Sequence, residues 1–218
     1  MTLPAKVLSL FLGAASAATA GVGGAYLNSK ETIGSKLGDA VLGTDDSFKE
    51  SWKNQHDKLR KGNEELKDFS ELDQIKKNSD SESAWGKLRD WCSKSYSFTY
   101  KDIFSKEDNT RLNLTKKYCI QTTKERLGAI YTGGTKKVLA ITGGGDKSEF
   151  VTNYKKLKDQ AKDKLPDLLK EIDVSKVDNE AEQNWTKVQT WCSGIHEKPF
   201  KGVNDTFSLA SKLCVKES

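Results

Sequence analysis

The chain has 218 residues, of which 35% are hydrophobic and 31% charged, and its net charge is +5 at pH 7. Lysine supplies nearly all of the positive charge, whereas arginine, whose forked guanidinium suits nucleic-acid recognition, occurs at only four positions. The composition therefore indicates a soluble protein with a heavily solvated surface, and it argues against a nucleic acid as the partner.

The first feature along the chain is an uncharged segment, residues 7–27, which follows Lys6. At ~1.5 Å rise per residue, a hydrophobic helix of this length just spans the hydrocarbon core of a bilayer. Two alternatives remain open for residues 1–28, namely a signal peptide cleaved after Ala20 or an uncleaved signal anchor. Either alternative predicts that the later residues lie on the extracellular face of the cell membrane or are secreted, because the positive end stays inside.

Residues 29–44 contain three glycines and are predicted to form a tether or a short juxtamembrane helix. The first helical unit, residues 45–128, opens with Ser47 three positions before Glu50, which is the pattern of a capping box. We therefore predict helix A over about 46–68, with one apolar stripe formed by Phe48, Trp52, Leu59 and Leu66.

Two more helices are predicted in this unit. Helix B begins after Asp80, and helix C begins at a cap formed by Asp108 or Asn109 and runs to about Leu127. The apolar face of helix B comprises Trp85, Leu88, Trp91 and Cys92, and that of helix C comprises Leu112, Thr115 and Cys119.

A tandem repeat organises the whole sequence. The block from Trp85 to Cys92 returns from Trp185 to Cys192, with two tryptophans six positions apart and a cysteine directly after the second. The sequence therefore predicts an all-α protein, in which an N-terminal hydrophobic helix precedes two tandem related three-helix units. The tryptophans at core spacing, Trp85, Trp91, Trp185 and Trp191, are predicted to form the repeat cores rather than a stacking platform.

A glycine-rich linker, residues 129–146, is predicted between the units, with a small hairpin turning at Gly133 and Gly134. In the second unit, residues 147–218, we expect a kink or break of helix A near Pro166. The apolar face of that helix is predicted to comprise Phe150, Tyr154, Leu157, Ala161, Leu165 and Leu168.

The four cysteines are the most informative residues for stability. In each unit one cysteine lies on helix B and the other on helix C, so we predict disulfides that join Cys92 to Cys119 and Cys192 to Cys214. Only the repeat selects this pairing among the three possible connectivities. Each bridge should stabilise its unit by about 3 kcal/mol.

Other roles for the cysteines have little support in the sequence. Structural zinc uses ligands that lie close together in pairs, such as Cys-x-x-Cys, and no such pair occurs. A nucleophilic cysteine needs a positioned histidine, and the chain has only His56 and His196. His196 is predicted to be a solvated loop residue. We therefore predict no catalytic, cofactor-binding or metal-binding residues.

Four features together resemble a known group of proteins. They are the alanine- and glycine-rich N-terminal segment, the DDSFKESW start of helix A, the KLRDWC block and the CIQTTKERL run after Cys119. They resemble the large paralogous families of uncharacterised proteins of haemotropic mycoplasmas over most of residues 1–128, and more weakly over 146–214. The second unit departs from the pattern because no KERL run follows Cys214. The resemblance implies a secreted or membrane-anchored surface protein, which varies antigenically or contacts the host red cell, and it lends no catalytic residues.

The leading expectation is a non-enzymatic helical protein that is displayed at the cell surface or secreted. Residues 7–27 would tether it to the membrane, and its lysine-rich exterior would meet host surface molecules or antibodies. The alternative is an extracellular binding module that captures a nutrient or a polyanionic ligand through the aromatic loops 94–104 and 195–203. The hypothesis that the protein is an extracellular hydrolase has the least support.

Overall fold

The computed structural model describes residues 30–102, 106–142 and 145–217. This part of the chain is mostly helical, as predicted. Its four short strands, β1 (Glu31–Thr32), β2 (Thr99–Lys101), β3 (Lys136–Val138) and β4 (Val215–Glu217), form the antiparallel pairs β1–β2 and β3–β4. Its helices, in chain order, are α1 (Ile33–Leu37), α2 (Lys49–Lys61), α3 (Ser70–Lys77), α4 (Ser81–Ser97), α5 (Asn109–Cys119), α6 (Thr123–Tyr131), α7 (Lys147–Lys155), α8 (Asp167–Lys170), α9 (Val177–His196) and α10 (Asp205–Leu213).

Polar side chains explain where several helices begin. In front of α4, the carboxylate of Asp80 accepts a hydrogen bond from the backbone N–H of Glu82 at 3.0 Å. Helix α6 begins with a capping box, in which the side chains of Thr122 and Glu125 each accept a hydrogen bond from the other residue's backbone N–H. Such caps satisfy N–H groups that have no partner inside the helix, and each contributes about 1 kcal/mol.

The helix predicted over 46–68 is shorter in the structure. Helix α2 ends at Lys61, and Gly62 closes it by donating its backbone N–H to the carbonyl of Leu59 at 3.1 Å. The chain then passes through a loop that contains Leu66 and enters α3, which the sequence pattern did not predict. Leu66 lies in this loop but is buried, so it matched the spacing of the predicted apolar stripe without being part of the helix.

The prediction that helix C continues to Leu127 is wrong. Residues 120–122 form a corner between α5 and α6, and Ile120 in that corner is extended, with φ −121° and ψ 136°. The corner is held by the other half of the chain, because Phe200 donates its backbone N–H to the carbonyl of Gln121 at 2.7 Å. A tertiary contact therefore divides a segment whose local sequence suits one helix.

Pro166 does not interrupt a helix, so the break of the second helix A lies earlier than predicted. Helix α7 ends at Lys155, and two short 3₁₀ turns then lead to Pro166, which is the N-terminal cap residue of α8. A proline suits this place, because the first residues of a helix need no N–H partner. On the predicted apolar face, Phe150, Tyr154, Leu157 and Leu165 are buried, whereas Ala161 and Leu168 are exposed.

The segment predicted as a linker contains ordered structure. Strand β3 pairs with β4 at the end of the described chain, with Val138 opposite Val215, and Leu139 donates its N–H to the carbonyl of Cys214 at 2.9 Å. The hairpin predicted at Gly133 and Gly134 is therefore wrong, since the partner of β3 lies more than seventy residues later. This pairing ties the segment between the halves to the second disulfide.

One main core runs through both halves of the described chain. It includes Trp52 and Leu88 from the first half and Phe150 and Val188 from the second. A smaller cluster contains Ile33, Tyr100 and Leu112 beneath the β1–β2 pair.

The halves meet where the corner after α5 contacts the loop after α9. Thr123 donates its N–H to the carbonyl of Lys198 at 2.8 Å, and the ring centroids of Phe48 and Phe200 lie 5.8 Å apart. The division into separate units over 45–128 and 147–218 stays a prediction.

The predicted signal peptide or anchor, residues 1–28, and its uncharged run, 7–27, lie outside the described residues. Within the ranges that the structure describes, no helix has the length and apolar character needed to cross a membrane.

Candidate ligand-binding cleft

A cleft of about 700 Å³ opens between α2, the C-terminal end of α5 and α6. Its volume falls within the range of about 300–1,000 Å³ that is common for small-molecule sites. Its walls carry charged and amide side chains from these three helices and from the corner between α5 and α6, which are Asn54, Gln55, Asp57, Lys58, Lys61, Lys117, Gln121 and Glu125.

The first disulfide positions the helices around this cleft. The bond joins Cys92 of α4 to Cys119 at the end of α5, and their Cα atoms lie 5.6 Å apart. The carbonyl of Cys119 also accepts hydrogen bonds from the Tyr96 hydroxyl at 2.9 Å and from the backbone N–H of Leu42 at 3.2 Å. The chain turns directly after this anchored point, and Gln121 in the turn lines the cleft.

Two of the lysines in the cleft already have acidic partners. The ammonium of Lys58 lies 2.6 Å from the carboxylate of Glu125, and Lys117 pairs with Glu64. Asp57 and Lys61, one helical turn apart on α2, make no ion pair among the described residues. The cleft therefore presents one unpaired charge of each sign.

Gly62 allows a close approach at the edge of the cleft. The hydroxyl of Tyr118 donates a hydrogen bond to the carboxylate of Glu64 directly beside the Gly62 backbone, and a Cβ atom at this position would overlap both groups. Burial raises the pKa of Tyr118, so its hydroxyl stays protonated and remains a donor to the carboxylate. Any larger residue at position 62 would therefore displace the ion pair of Glu64 with Lys117.

Two buried glutamines of the cleft each have an amide oxygen without a hydrogen-bond partner. Gln55 and Gln121 are each 1% exposed, and the amide oxygen of each has no hydrogen-bond partner among the described residues. An unsatisfied buried polar group costs about 1–3 kcal/mol of stability. Both amides belong to the lining of the same cleft, so their oxygens are the candidate acceptors for a molecule bound there.

Both histidines are buried. His196 was predicted to be a solvated loop residue, but it ends α9 and is 0% exposed, with no hydrogen-bond partner for either ring nitrogen among the described residues. Burial, and then the charge of Lys124, lowers the pKa of His196, so the ring stays neutral. His56 is also 0% exposed, and its Nε2 lies 3.0 Å from the carbonyl oxygen of Ile75.

All four cysteines are bonded in the predicted pairs. Cys192 of α9 joins Cys214, the residue after α10, with a Cα–Cα distance of 5.5 Å, and the sequence separations in the two bridges are 27 and 22 residues. Cys92, Cys119, Cys192 and Cys214 are each 0% exposed. These sulfur atoms therefore contribute to the core.

The repeated tryptophans lie at equivalent depths in the two halves. Trp91 and Trp191 are buried, at 3% and 7% exposure, whereas Trp85 and Trp185 pack against the edge of the main core and stay partly exposed. The ring of Trp85 lies under the side chain of Arg89, with 5.2 Å between the guanidinium carbon and the ring centroid. This intramolecular contact covers part of the tryptophan face.

The aromatic loops proposed as binding surfaces are largely parts of other elements. Residues 94–97 belong to α4 and residues 195–196 to α9, while 103–105 lie outside the described part of the chain. Beside the first loop, Arg111 lies 3.7 Å from the ring centroid of Phe98 and 5.0 Å from that of Phe69. The protein's own guanidinium thus occupies this aromatic pocket.

The residues that line the cleft were not predicted from the sequence. Gln55 lies between Trp52 and Leu59 on the buried face of α2, where an amide interrupts an apolar stripe, and this interruption was the available signal. Gln121 carried no such signal, because its position depends on the corner that Phe200 holds.

No family model matches the chain, and neither the curated proteins nor the solved structures give a significant match.

Proposed function

We propose that this protein is a non-enzymatic helical protein, displayed at the cell surface or secreted, which acts by contacting other molecules through its exterior. The pairing of all four cysteines carries the proposal. Disulfides persist in oxidising environments outside the cytoplasm, and small domains in such places use them to supplement a limited core. Tethering through residues 7–27 and contact with host surface molecules or antibodies are parts of the same proposal, supported by the resemblance described above.

The placement of the histidines supports a non-enzymatic role. His56 and His196 are the two histidines of the sequence, both are 0% exposed, and neither lines the cleft, so the cleft offers no imidazole to a bound molecule. Lysine, by contrast, is spread over the surface in exposed ion pairs, such as Lys67 with Glu65 and Lys94 with Glu71. Such a surface suits contact and solubility better than chemistry.

Protease treatment of intact cells that produce the protein tests this proposal. We expect peptides from residues 45–218 to be released without lysis, and peptide mapping without reductant to find Cys92 joined to Cys119. A cytoplasmic protein of the same cells serves as the control for lysis. Protection of these residues until the cells are permeabilised, together with free thiols, would contradict the proposal.

A second candidate function is a binding module, and the cleft between α2, α5 and α6 favours it. Its volume of about 700 Å³ and its two unsatisfied amides fit a bound small molecule. The site then differs from the aromatic loops expected from the sequence. Titration of the purified, oxidised protein with small ligands tests this candidate.

A further inference from the structure

We propose that the cleft between α2, α5 and α6 binds a short peptide with free termini. The proposal rests on the binding function given above as the second candidate, and it names the chemical class of the ligand. Three properties of the cleft lead to it, namely its buried amides, its unpaired charges and its length.

The amides of Gln55 and Gln121 favour a ligand that both donates and accepts hydrogen bonds. Each side chain is 1% exposed and lines the cleft, and each amide oxygen lacks a partner among the described residues. A half-turn about the last side-chain torsion exchanges the oxygen and the NH₂ group of a glutamine. Each glutamine can thus offer an acceptor and two donors, and a peptide group carries the complementary N–H and C=O.

The unpaired charges favour a ligand that carries both a positive and a negative group. Asp57 and Lys61 line the cleft and make no ion pair within the described ranges. A free α-amino group can pair with Asp57, and a free carboxylate can pair with Lys61, as charge-assisted hydrogen bonds. A ligand with only one of these groups leaves the other side chain unpaired, so a zwitterion fits the site best.

A polyanion fits the same cleft poorly, although three lysines line it. Lys58 and Lys117 are already engaged with Glu125 and Glu64, and these carboxylates would repel an incoming anion. Only Lys61 is available without breaking an existing ion pair. The local charge therefore favours a neutral zwitterion over a phosphate- or sulfate-rich ligand.

The length of the cleft fits a peptide of a few residues. Its lining residues on α2 run from Asn54 to Lys61, which is about 10 Å along a helix that rises ~1.5 Å per residue. Asp57 and Lys61 are four residues apart, which is about 6 Å along the same axis, and an extended chain of two to three residues spans about 7–10 Å. Because both side chains extend beyond the backbone, the termini of such a peptide can pair with them while its peptide groups lie against the glutamines.

Calorimetric titration of the purified, oxidised protein tests the proposal. The probes are trialanine with free termini, trialanine with both termini blocked, and inorganic polyphosphate. We expect saturable binding of free trialanine, and binding of the blocked form that is weaker by about a hundredfold, because a charge-assisted hydrogen bond worth about tenfold is lost at each end.

Two surface variants test the charge contacts. Lys61→Gln and Asp57→Asn should each weaken the binding of free trialanine by about tenfold and should have the thermal unfolding temperature of the parent protein. Lys137→Gln and Asp159→Asn are the matched controls, because both residues are exposed and neither lines the cleft, and they should leave binding unchanged.

Gln55→Leu and Gln121→Leu separate ligand binding from a structural role. Each variant removes an unsatisfied buried amide, so it should unfold at a higher temperature than the parent while losing affinity for trialanine. A purely structural glutamine would change the unfolding temperature and leave the affinity unchanged. If both leucine variants bind trialanine with the affinity of the parent protein, the assignment of a peptide ligand is overturned.

The probes also distinguish failure of this inference from failure of the binding function. Binding of polyphosphate with no binding of trialanine would overturn the peptide ligand and leave a binding module. Failure of every probe to bind would overturn the ligand class and remove the support for the second candidate function, while surface display would be unaffected.

Discussion

Tyr96 and His196 occupy equivalent positions in the two halves, each four residues after the first disulfide cysteine of its half, yet only Tyr96 is hydrogen-bonded. The Tyr96 hydroxyl donates to the carbonyl of Cys119 at 2.9 Å. His196 is 0% exposed, and neither of its ring nitrogens has a partner among the described residues. The repeat therefore places an aromatic ring near the disulfide in both halves, partly buried in Tyr96 and fully buried in His196, but the polar contact exists in one copy.

His196 should make the protein sensitive to acid. Burial lowers its pKa below the 6.5 of an exposed histidine, so the unfolded chain binds a proton at pH values where the folded chain does not. The free energy of unfolding should therefore fall as the pH drops below about 6.5. Urea unfolding at pH 7.5 and pH 5.5 measures this loss.

His196→Leu should reduce this acid sensitivity and raise the free energy of unfolding at pH 7.5 by about 1 kcal/mol, because it removes two unsatisfied buried nitrogens. Tyr96→Phe is the control, since it changes the equivalent position in the first half and should keep the acid sensitivity. An equal loss on acidification in the His196→Leu variant would show that other groups cause it.

Each disulfide should contribute substantially to stability. Replacing Cys92 and Cys119 together by alanine should lower the free energy of unfolding by about 3 kcal/mol, because the unfolded chain gains the freedom of a loop with a separation of 27 residues. Replacing Cys192 and Cys214 should cost a similar amount. Guanidinium unfolding of the oxidised parent protein and of both variants measures these losses. If removing a disulfide lowers the free energy of unfolding by less than about 1 kcal/mol, the prediction is wrong and the core supplies most of the stability.

The two tryptophans of one repeat block should differ in their effect on stability. Trp91 is 3% exposed and packs edge-on against Phe69, with 6.5 Å between the ring centroids, so Trp91→Ala should cost about 3–5 kcal/mol. Trp85→Ala should cost clearly less, because Trp85 lies at the edge of the core. Thermal and urea unfolding of the two variants test this order, and similar losses would contradict the burial difference.

Asn153 should hold the C-terminal strand in place. Its side-chain nitrogen, in a residue that is 2% exposed, donates hydrogen bonds to the carbonyls of Leu213 and Val215, both at 2.9 Å. Asn153→Leu leaves both carbonyls unpaired and should cost about 2 kcal/mol or more. Hydrogen exchange at β4 should accelerate in this variant, whereas Asn113→Leu, at an exposed position, should leave it unchanged.

Periodicity and the repeat predicted the main helices because both depend on spacing within one segment. Trp91 and Cys92 fall on one face of α4 at helical spacing, and the same arrangement recurs in α9, so the cysteine pairing followed from the duplication. The end of α2 was not predictable in this way, since Leu66 keeps the helical spacing from within a loop.

By itself, the sequence determined that the described chain is mostly helical and which cysteines pair, because helical faces and a duplicated motif are properties of local spacing. Only the tertiary structure decided the corner before α6, where Phe200 contacts Gln121, and the pairing of β3 with β4. The cleft depends on that corner, since Gln55 and Gln121 reach the same wall only when α6 turns back beside α2. Contacts between residues so far apart in sequence leave no periodic signal, so the candidate site emerged only from the folded chain.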